Sequence, residues 1–246
     1  MAFTFPQGLA PELYPLAWLV GSWRGEGVLE YPGLQTSGFI QEVTFSHDGG
    51  PYLRYESTIR LTPHSMPEVP DPLAEFEKLD RQQAGADVNG SDVAGTDAEP
   101  LIPDDSLASQ PPSTSSEVAG SGGVPVVAAQ ADVPEPDDDT VFWSTEAGYW
   151  RIAPEPHQGV PKDYASLEVL LSDPAGRVTV YLGMAGEGKV QLVSDLIART
   201  GTAAEVTASK RVYGNVSGDL MWVQSLAAFG NPLQDYVSAT LTRVEQ

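Results

Sequence analysis

The chain has 246 residues, a net charge of −21 and no cysteine. This length suits one large domain or one domain with a long appendage, and the lack of cysteine excludes disulfides, cysteine-based metal sites and thiol catalysis. No stretch approaches the roughly 18 consecutive apolar residues of a membrane span, and the first residues lack the basic and apolar regions of a signal peptide. We therefore expect a cytoplasmic protein with no membrane partner.

The acidity is concentrated in one segment, residues 62–139. This segment holds 17 of the 34 acidic residues and only two of the 13 basic ones, so its net charge is −15. The acidity repels phosphate backbones, which disfavours nucleic acid as a partner. Of the 21 aromatic residues, only Phe76 lies in this segment. Its Ala, Gly, Ser, Pro and Asp bury too little apolar surface to offset chain ordering, so we expect a disordered insertion.

Two local patterns stand out within the acidic insertion. Apolar spacing predicts a short helix over 70–82. The run PDDD, which ends at residue 139, lacks the alternating oxygen ligands of a calcium loop, which favours solvated charge. We interpret 62–139 as a solvated excursion from a domain formed by residues 1–61 and 140–246, with an acidic docking element as the alternative.

Outside the insertion the chain has the alternation and turn residues of short strands. A short helix precedes them at 8–21, limited by Pro11 and Pro15. The fourth strand is predicted to bend or break at Gly148. Ten strands are predicted, over residues 22–31, 37–46, 51–61, 140–153, 164–172, 177–185, 189–200, 204–214, 219–228 and 235–244.

Sequential, hairpin-linked strands in this number predict a closed sheet. An open antiparallel sheet would leave exposed edges, and closure into a barrel removes them. We therefore predict an all-β fold, a ten-stranded antiparallel up-and-down barrel like that of lipocalins and fatty-acid-binding proteins, with room for a small ligand. A β-sandwich is the alternative.

The stretch LVGSWRGEGVLEYP contains Gly21, Trp23, Gly25 and Gly27 in a G-x-W-x-G-x-G pattern. We interpret it as a first strand in which the tryptophan fills one barrel end and the glycines allow close backbone approach. A phosphate-binding loop is disfavoured because no Lys-Ser/Thr follows and no helix begins there. Lipocalin-like barrels also begin with Gly-x-Trp, so the motif indicates a fold and not a function.

Four further stretches resemble the nitrobindin family in the same order, so the resemblance covers nearly all of the chain outside the insertion. They are GFIQEVTFSHDGGPYLRYES (38–57), TEAGYWRI (145–152), VSDLIARTGTAAEVTASKRVYG (193–214) and DLMWVQSLAAFGNPLQDYVSATLTRV (219–244). The resemblance implies a ten-stranded barrel that binds ferric haem b in an apolar pocket. The haem iron of the family reacts with nitric oxide and converts peroxynitrite to nitrate.

This chain departs from the family at three haem-pocket positions. The resemblance places Tyr236, in DYVSATL, where the family has its iron-ligating histidine. It places Ser144, in WSTEAG, at a second family histidine, and Gly33 at a threonine that follows Tyr-Pro. We therefore expect a degenerate haem site.

Tyr236 is the remaining candidate for an iron ligand. The period of two puts it on the same strand face as Ser238 and Thr240. A tyrosinate can ligate ferric haem if its pKa, ordinarily about 10, is lowered, but Arg243 lies on the opposite strand face. The favoured interpretation is a pocket-facing or packing aromatic with a satisfied hydroxyl.

Other titratable residues give little support for a metal or catalytic site. His47, His64 and His157 are predicted to be solvated loop residues, so no metal site is expected. For Glu42 and Glu146, structural hydrogen bonding is favoured over a carboxylate pair for acid/base catalysis.

Three functions follow from the sequence. The favoured one is a nitrobindin-like protein that has lost histidine-ligated haem and whose cavity takes another small hydrophobic ligand, with no cofactor and no catalysis expected. The second is a ferric haem b protein, similar to a peroxynitrite isomerase, that uses Tyr236 or no protein ligand. The third is an interaction module that acts through residues 62–139. The oligomeric state is left open.

Overall fold

The computed structural model describes residues 5–62, 74–76, 78 and 140–244. A 3-10 helix at Pro11–Leu19 precedes ten strands. The strands are β1 (Gly21–Leu29), β2 (Ser37–Ser46), β3 (Leu53–Thr62), β4 (Val141–Ile152), β5 (Ala165–Asp173), β6 (Arg177–Gly186), β7 (Lys189–Arg199), β8 (Val206–Val216), β9 (Asp219–Ala228) and β10 (Gln234–Arg243). No helix in the described part of the chain is long and apolar enough to cross a membrane.

The ten strands form one closed antiparallel barrel in the order β1-β10-β9-β8-β7-β6-β5-β4-β3-β2. Strands that are neighbours in sequence pair with each other, and β1 pairs with β10 to close the sheet. The predicted barrel is therefore confirmed, and the β-sandwich alternative is wrong. The predicted break at Gly148 is wrong, since β4 runs through this residue, and the absence of a side chain there lets the backbone of β5 approach closely.

The 3-10 helix closes one end of the barrel. Pro15 lies inside it and lacks the N–H that an α-helix would use, which keeps the helix short. Leu13, Leu16 and Leu19 are fully buried and belong to the same core as the side chains inside the barrel. We call this end the closed end.

The glycine-tryptophan motif forms most of β1 and begins at the closed end. The indole N–H of Trp23 donates to the carbonyl of Leu19 at 2.8 Å, and the Arg243 guanidinium lies 4.1 Å from the centre of the indole ring. A Cβ at Gly27 would lie 2.1 Å from the ring of Phe39. The tryptophan therefore packs beneath the helix, and the glycine allows β2 to approach.

Aromatic side chains fill the half of the barrel next to the closed end. Tyr213 and Trp222 stack with their ring centres 5.5 Å apart. Trp150 meets Tyr213 edge-on at 5.2 Å, and Phe45 and Tyr55 pack against each other at 5.1 Å. These five residues, which we call the aromatic cluster, are almost completely buried.

The acidic segment is described at only a few positions. Residues 74–76 and 78 are helical. The rest of the helix predicted at 70–82 lies outside the described residues, as do His64 and the run PDDD. The disorder and the docking role of the insertion therefore stay predictions.

Phe76 packs against the outer wall of the barrel. It is 3% exposed and contacts Val212 and Met221, whose side chains form a small core of their own. Gly214 provides the space, because a Cβ there would lie 2.4 Å from the Phe76 ring.

Candidate functional site

The half of the barrel opposite the closed end encloses a cavity of about 590 Å³. Its mouth lies where β1, β3, β5, β7 and β9 end and the following strands begin. The apolar side chains at the rim are Leu34, Phe142, Trp143 and Phe229. Cavities of roughly 300–1,000 Å³ with mainly apolar walls are typical of small-molecule sites.

Two β-bulges shape the mouth. The register between β10 and β9 shifts at Tyr236, and the register between β4 and β3 shifts at Trp143. A bulged residue is unpaired in the ladder, so its side chain can be re-aimed. Here both side chains reach the mouth, and the indole N–H of Trp143 donates to the Tyr236 hydroxyl oxygen at 2.9 Å.

The orientation of Tyr236 corrects one prediction. Tyr236 lines the cavity and packs against the interior core that contains Val237 and Ala239. Ser238 and Thr240 do not line the cavity. The strand face predicted from the period of two is wrong, because the bulge at Tyr236 interrupts the alternation.

The phenol of Tyr236 is held in its protonated form. Burial raises its pKa above the ordinary value, although the hydrogen bond from Trp143 acts in the opposite sense. The ring of Tyr31 packs edge-on against it, with centres 5.8 Å apart. Tyr236 therefore presents a neutral, oriented hydroxyl at the cavity mouth.

The other two haem-pocket positions predicted from the sequence, Ser144 and Gly33, lie in different places. Ser144 lines the cavity with Tyr236. Gly33 lies in the β1–β2 turn, which is closed by a hydrogen bond from Leu34 N–H to the Tyr31 carbonyl at 2.9 Å. Its φ of 85° is the conformation that the third position of a type II turn requires. Gly33 lines an adjoining groove rather than the cavity.

The floor of the cavity is an ion pair between Arg211, which is buried, and Glu146, which is partly buried. Arg211 binds Glu146 through both terminal nitrogens, at 2.6 and 2.8 Å. The hydroxyl of Tyr55 donates to Glu146 at 2.9 Å, and Arg211 donates to the Tyr213 hydroxyl at 3.3 Å. This layer separates the cavity from the aromatic cluster.

Electrostatics keep the floor ionised. Burial acts to raise the pKa of Glu146, but the adjacent Arg211 outweighs burial and holds that pKa below its ordinary value. Burial acts to lower the pKa of Arg211, but Glu146 holds it well above its ordinary value. Burial raises the pKa of Tyr213 to about 12. At neutral pH the floor therefore consists of a carboxylate, a guanidinium and neutral phenols.

The remaining polar groups of the cavity are either uncharged or paired. Ser209 accepts hydrogen bonds from the Tyr181 hydroxyl at 3.0 Å and the Gln224 amide at 3.1 Å. Nearer the mouth, Arg177 pairs with Asp173 at 2.9 Å. Each charged side chain among the described lining residues thus has a partner of opposite charge.

The two glutamates named from the sequence do not meet. Glu42 is exposed on the outer wall, 3.7 Å from Arg24. Glu146 lies inside the barrel with Arg211. A catalytic carboxylate pair is therefore excluded, and Glu146 has the structural hydrogen bonds that the sequence favoured.

The described histidines lie far from the cavity mouth. His47 and His157 belong to the β2–β3 and β4–β5 connections, at the closed end. Both are half-buried, so the prediction of solvated side chains is wrong for them; the His157 imidazole lies 4.0 Å from Glu168. Within the described ranges no group of three or more His, Asp or Glu side chains could hold a metal ion.

Sequence reasoning did not assign a site role to Trp143 or Arg211. Arg211 follows Lys210 in a strand, and alternation alone does not decide which of two adjacent cations enters the barrel. Trp143 reaches the mouth because of a bulge that no local pattern in the sequence marks. The sequence signal that could have indicated a site role for Trp143 is its position next to Ser144.

Comparison with known proteins identifies the family to which the chain belongs. Residues 12–243 match the model of the THAP4-like, heme-binding beta-barrel domain. A ferric nitrobindin-like protein from Beutenbergia cavernae is 40% identical, over 99% of this chain and 100% of its own length. The chain belongs to the nitrobindin family.

Two further comparisons cover nearly the whole chain. A peroxynitrite isomerase from a Nocardioides species is 29% identical over 99% of both chains. The crystal structure of Rv2717c from M. tuberculosis superposes with a TM-score of 0.57 at 22% identity, over 96% of this chain and 99% of that one. This structural likeness supports the fold alone.

The family implies haem, and haem needs an axial ligand from the wall of its pocket. The described residues that line the cavity include no histidine, cysteine, methionine or lysine. Tyr236, the candidate iron ligand from the sequence, is a neutral phenol whose pKa is raised by burial. The residues present do not fit a histidine-ligated haem.

Proposed function

We propose that this nitrobindin-family barrel binds a small apolar molecule in its cavity instead of a histidine-ligated haem. The observation that carries the proposal is the mouth itself, where Tyr236 is neutral and hydrogen-bonded to Trp143. The proposed role is binding rather than catalysis. The lack of cysteine is in keeping with the cytoplasm as its location.

The cavity walls support an apolar ligand. Leu34, Phe142 and Phe229 at the rim are more than one third exposed, so a ligand that covers them removes apolar surface from water. Such burial contributes about 25 cal/mol per Å². Leu171, Ile197 and Leu226 continue the apolar wall towards the floor.

An uncharged fluorescent probe tests this proposal. N-phenylnaphthylamine should bind at one site per chain, with saturable fluorescence enhancement. Thr179→Trp places an indole inside the cavity and should abolish binding, whereas Val178→Trp, on the neighbouring outward-facing residue of β6, should preserve it. Absence of saturable binding, or equal affinities of the two variants, would contradict the proposal.

Haemin titration tests the alternative, a ferric haem protein like a peroxynitrite isomerase. We expect no stoichiometric Soret shift with the wild-type protein. A tight one-to-one complex whose spectrum changes in Tyr236→Phe would overturn the proposal and support a tyrosinate ligand. Tyr236→His asks whether a lost ligand is the only obstacle. If that variant also fails to bind haem, other residues of the cavity, such as Ser144, contribute to the loss.

The third function, docking through the acidic insertion, stays a prediction. It is tested by deletion of residues 79–139, which keeps Phe76 in its contact with Val212 and Met221. Retention of partner capture after this deletion would exclude the insertion as the docking element.

A further inference from the structure

We propose that the Glu146–Arg211 pair sets the charge selectivity of the cavity, so that it admits uncharged ligands and rejects anions. This inference rests on the proposed function and specifies its ligand class. An arginine inside an apolar cavity would ordinarily attract a carboxylate, sulfonate or phosphate. In this barrel the protein's own carboxylate already occupies that arginine.

The two terminal nitrogens of the guanidinium are occupied within the wall, and its Nε–H, which has no partner among the described residues, is itself buried. Both terminal nitrogens of Arg211 donate to Glu146, and one also contacts Tyr213. The rings of Tyr181 and Trp222 flank the guanidinium, with centres 5.3 and 5.8 Å from its carbon. The Arg211 side chain is 5% exposed, so its charge is satisfied within the wall rather than displayed to a ligand.

The other described lining residues do not supply an unpaired cation. Arg177, nearer the mouth, is bound to Asp173. Ser209 and Gln224 offer only uncharged polar groups. An entering anion would have to displace Glu146 or be buried without a cationic partner, and an uncompensated buried charge is strongly unfavourable. An uncharged apolar molecule meets neither obstacle.

A matched pair of probes measures this selectivity. N-phenylnaphthylamine and anilinonaphthalene sulfonate share the same ring system, and only the second carries a negative charge. Wild-type protein should bind the uncharged probe at least about tenfold more tightly than the sulfonate. Equal affinities, or preference for the sulfonate, would overturn the inference and leave the proposed function intact. Failure to bind either probe would overturn both.

Variants of the Glu146–Arg211 pair test whether the cavity floor causes this charge selectivity. Glu146→Gln removes the protein's carboxylate and should shift the ratio of the two affinities towards the sulfonate by about tenfold or more. The double variant Glu146→Leu with Arg211→Met has no charge at the floor and should again prefer the uncharged probe. This variant retains its packing even if Glu146→Gln is too unstable to study, because paired apolar replacements of buried ion pairs are tolerated. A double variant that favours the sulfonate would contradict the inference.

Discussion

The two halves of the barrel interior are enclosed by the same strands but are filled differently. The half next to the 3-10 helix, which we call the filled half, contains the aromatic cluster of Phe45, Tyr55, Trp150, Tyr213 and Trp222. The open half contains the cavity and is lined by smaller or polar residues such as Ser144, Thr179 and Ser209. Stability is therefore assigned to one end of the sheet, and the proposed binding to the other.

The layer between the halves explains how the division is maintained. Glu146 and Arg211 obtain hydrogen bonds from each other and from the tyrosines below, while the Arg211 Nε–H is buried without a partner among the described residues. Apolar side chains that collapsed into the open half would bury these polar groups without improving their hydrogen bonding. The ion pair therefore lies at the boundary between the two halves, with the aromatic cluster on one side and the cavity on the other.

The largest expected effect compares two tryptophans on β4. Trp150→Ala removes a fully buried ring from the filled half and should lower the free energy of unfolding by about 3–5 kcal/mol. Trp143→Ala, at the mouth of the open half, should lower it by less than about 1.5 kcal/mol, because the ring is partly exposed and loses one hydrogen bond. Urea denaturation measures both. Similar decreases in the free energy of unfolding for the two variants would contradict the proposed division between the filled half and the open half.

A smaller effect is expected from glycines in the two regions. A Cβ at Gly183, in the filled half, would lie 2.1 Å from the Gln191 carbonyl oxygen and 2.7 Å from Leu192. Gly183→Ala should therefore reduce the free energy of unfolding by about 1–3 kcal/mol. Gly201→Ala, in the β7–β8 connection at the open end, meets nothing within 4 Å and serves as the control. Thermal denaturation measures both variants. If both unfold at the wild-type temperature, the filled half tolerates the added methyl group, which would contradict this prediction.

The smallest expected effect is a pH dependence of the free energy of unfolding, which arises from Tyr213 beneath the cavity floor. The pKa of Tyr213 is raised from 10.0 to about 12, so the folded state holds this proton more tightly than the unfolded state. The resulting stabilisation is fully present below pH 10 and is lost as the pH rises towards 12. Between about pH 9 and pH 11, the wild type should lose about 1 kcal/mol more than Tyr213→Phe. Urea denaturation at the two pH values checks this, and an equal loss in both proteins would contradict it.

The barrel could be predicted from the sequence because its signals are local. Alternating residues, turn glycines and hairpin spacing each act over a few positions, and ten such strands leave closure as the way to avoid free edges. The position of Tyr236 could not be predicted in the same way. One extra residue in β10 reverses the side-chain alternation, and the sequence around it carries no distinct signal.

The sequence by itself determined the strands, their order and the motif that begins β1. The tertiary structure decided which side chains meet. Glu146 and Arg211 are 65 residues apart and form the cavity floor, while Trp143 and Tyr236 are 93 residues apart and form its mouth. The physical reason is that closure of the sheet and its bulges set the direction of each side chain, and these depend on contacts between strands rather than on neighbours in the chain.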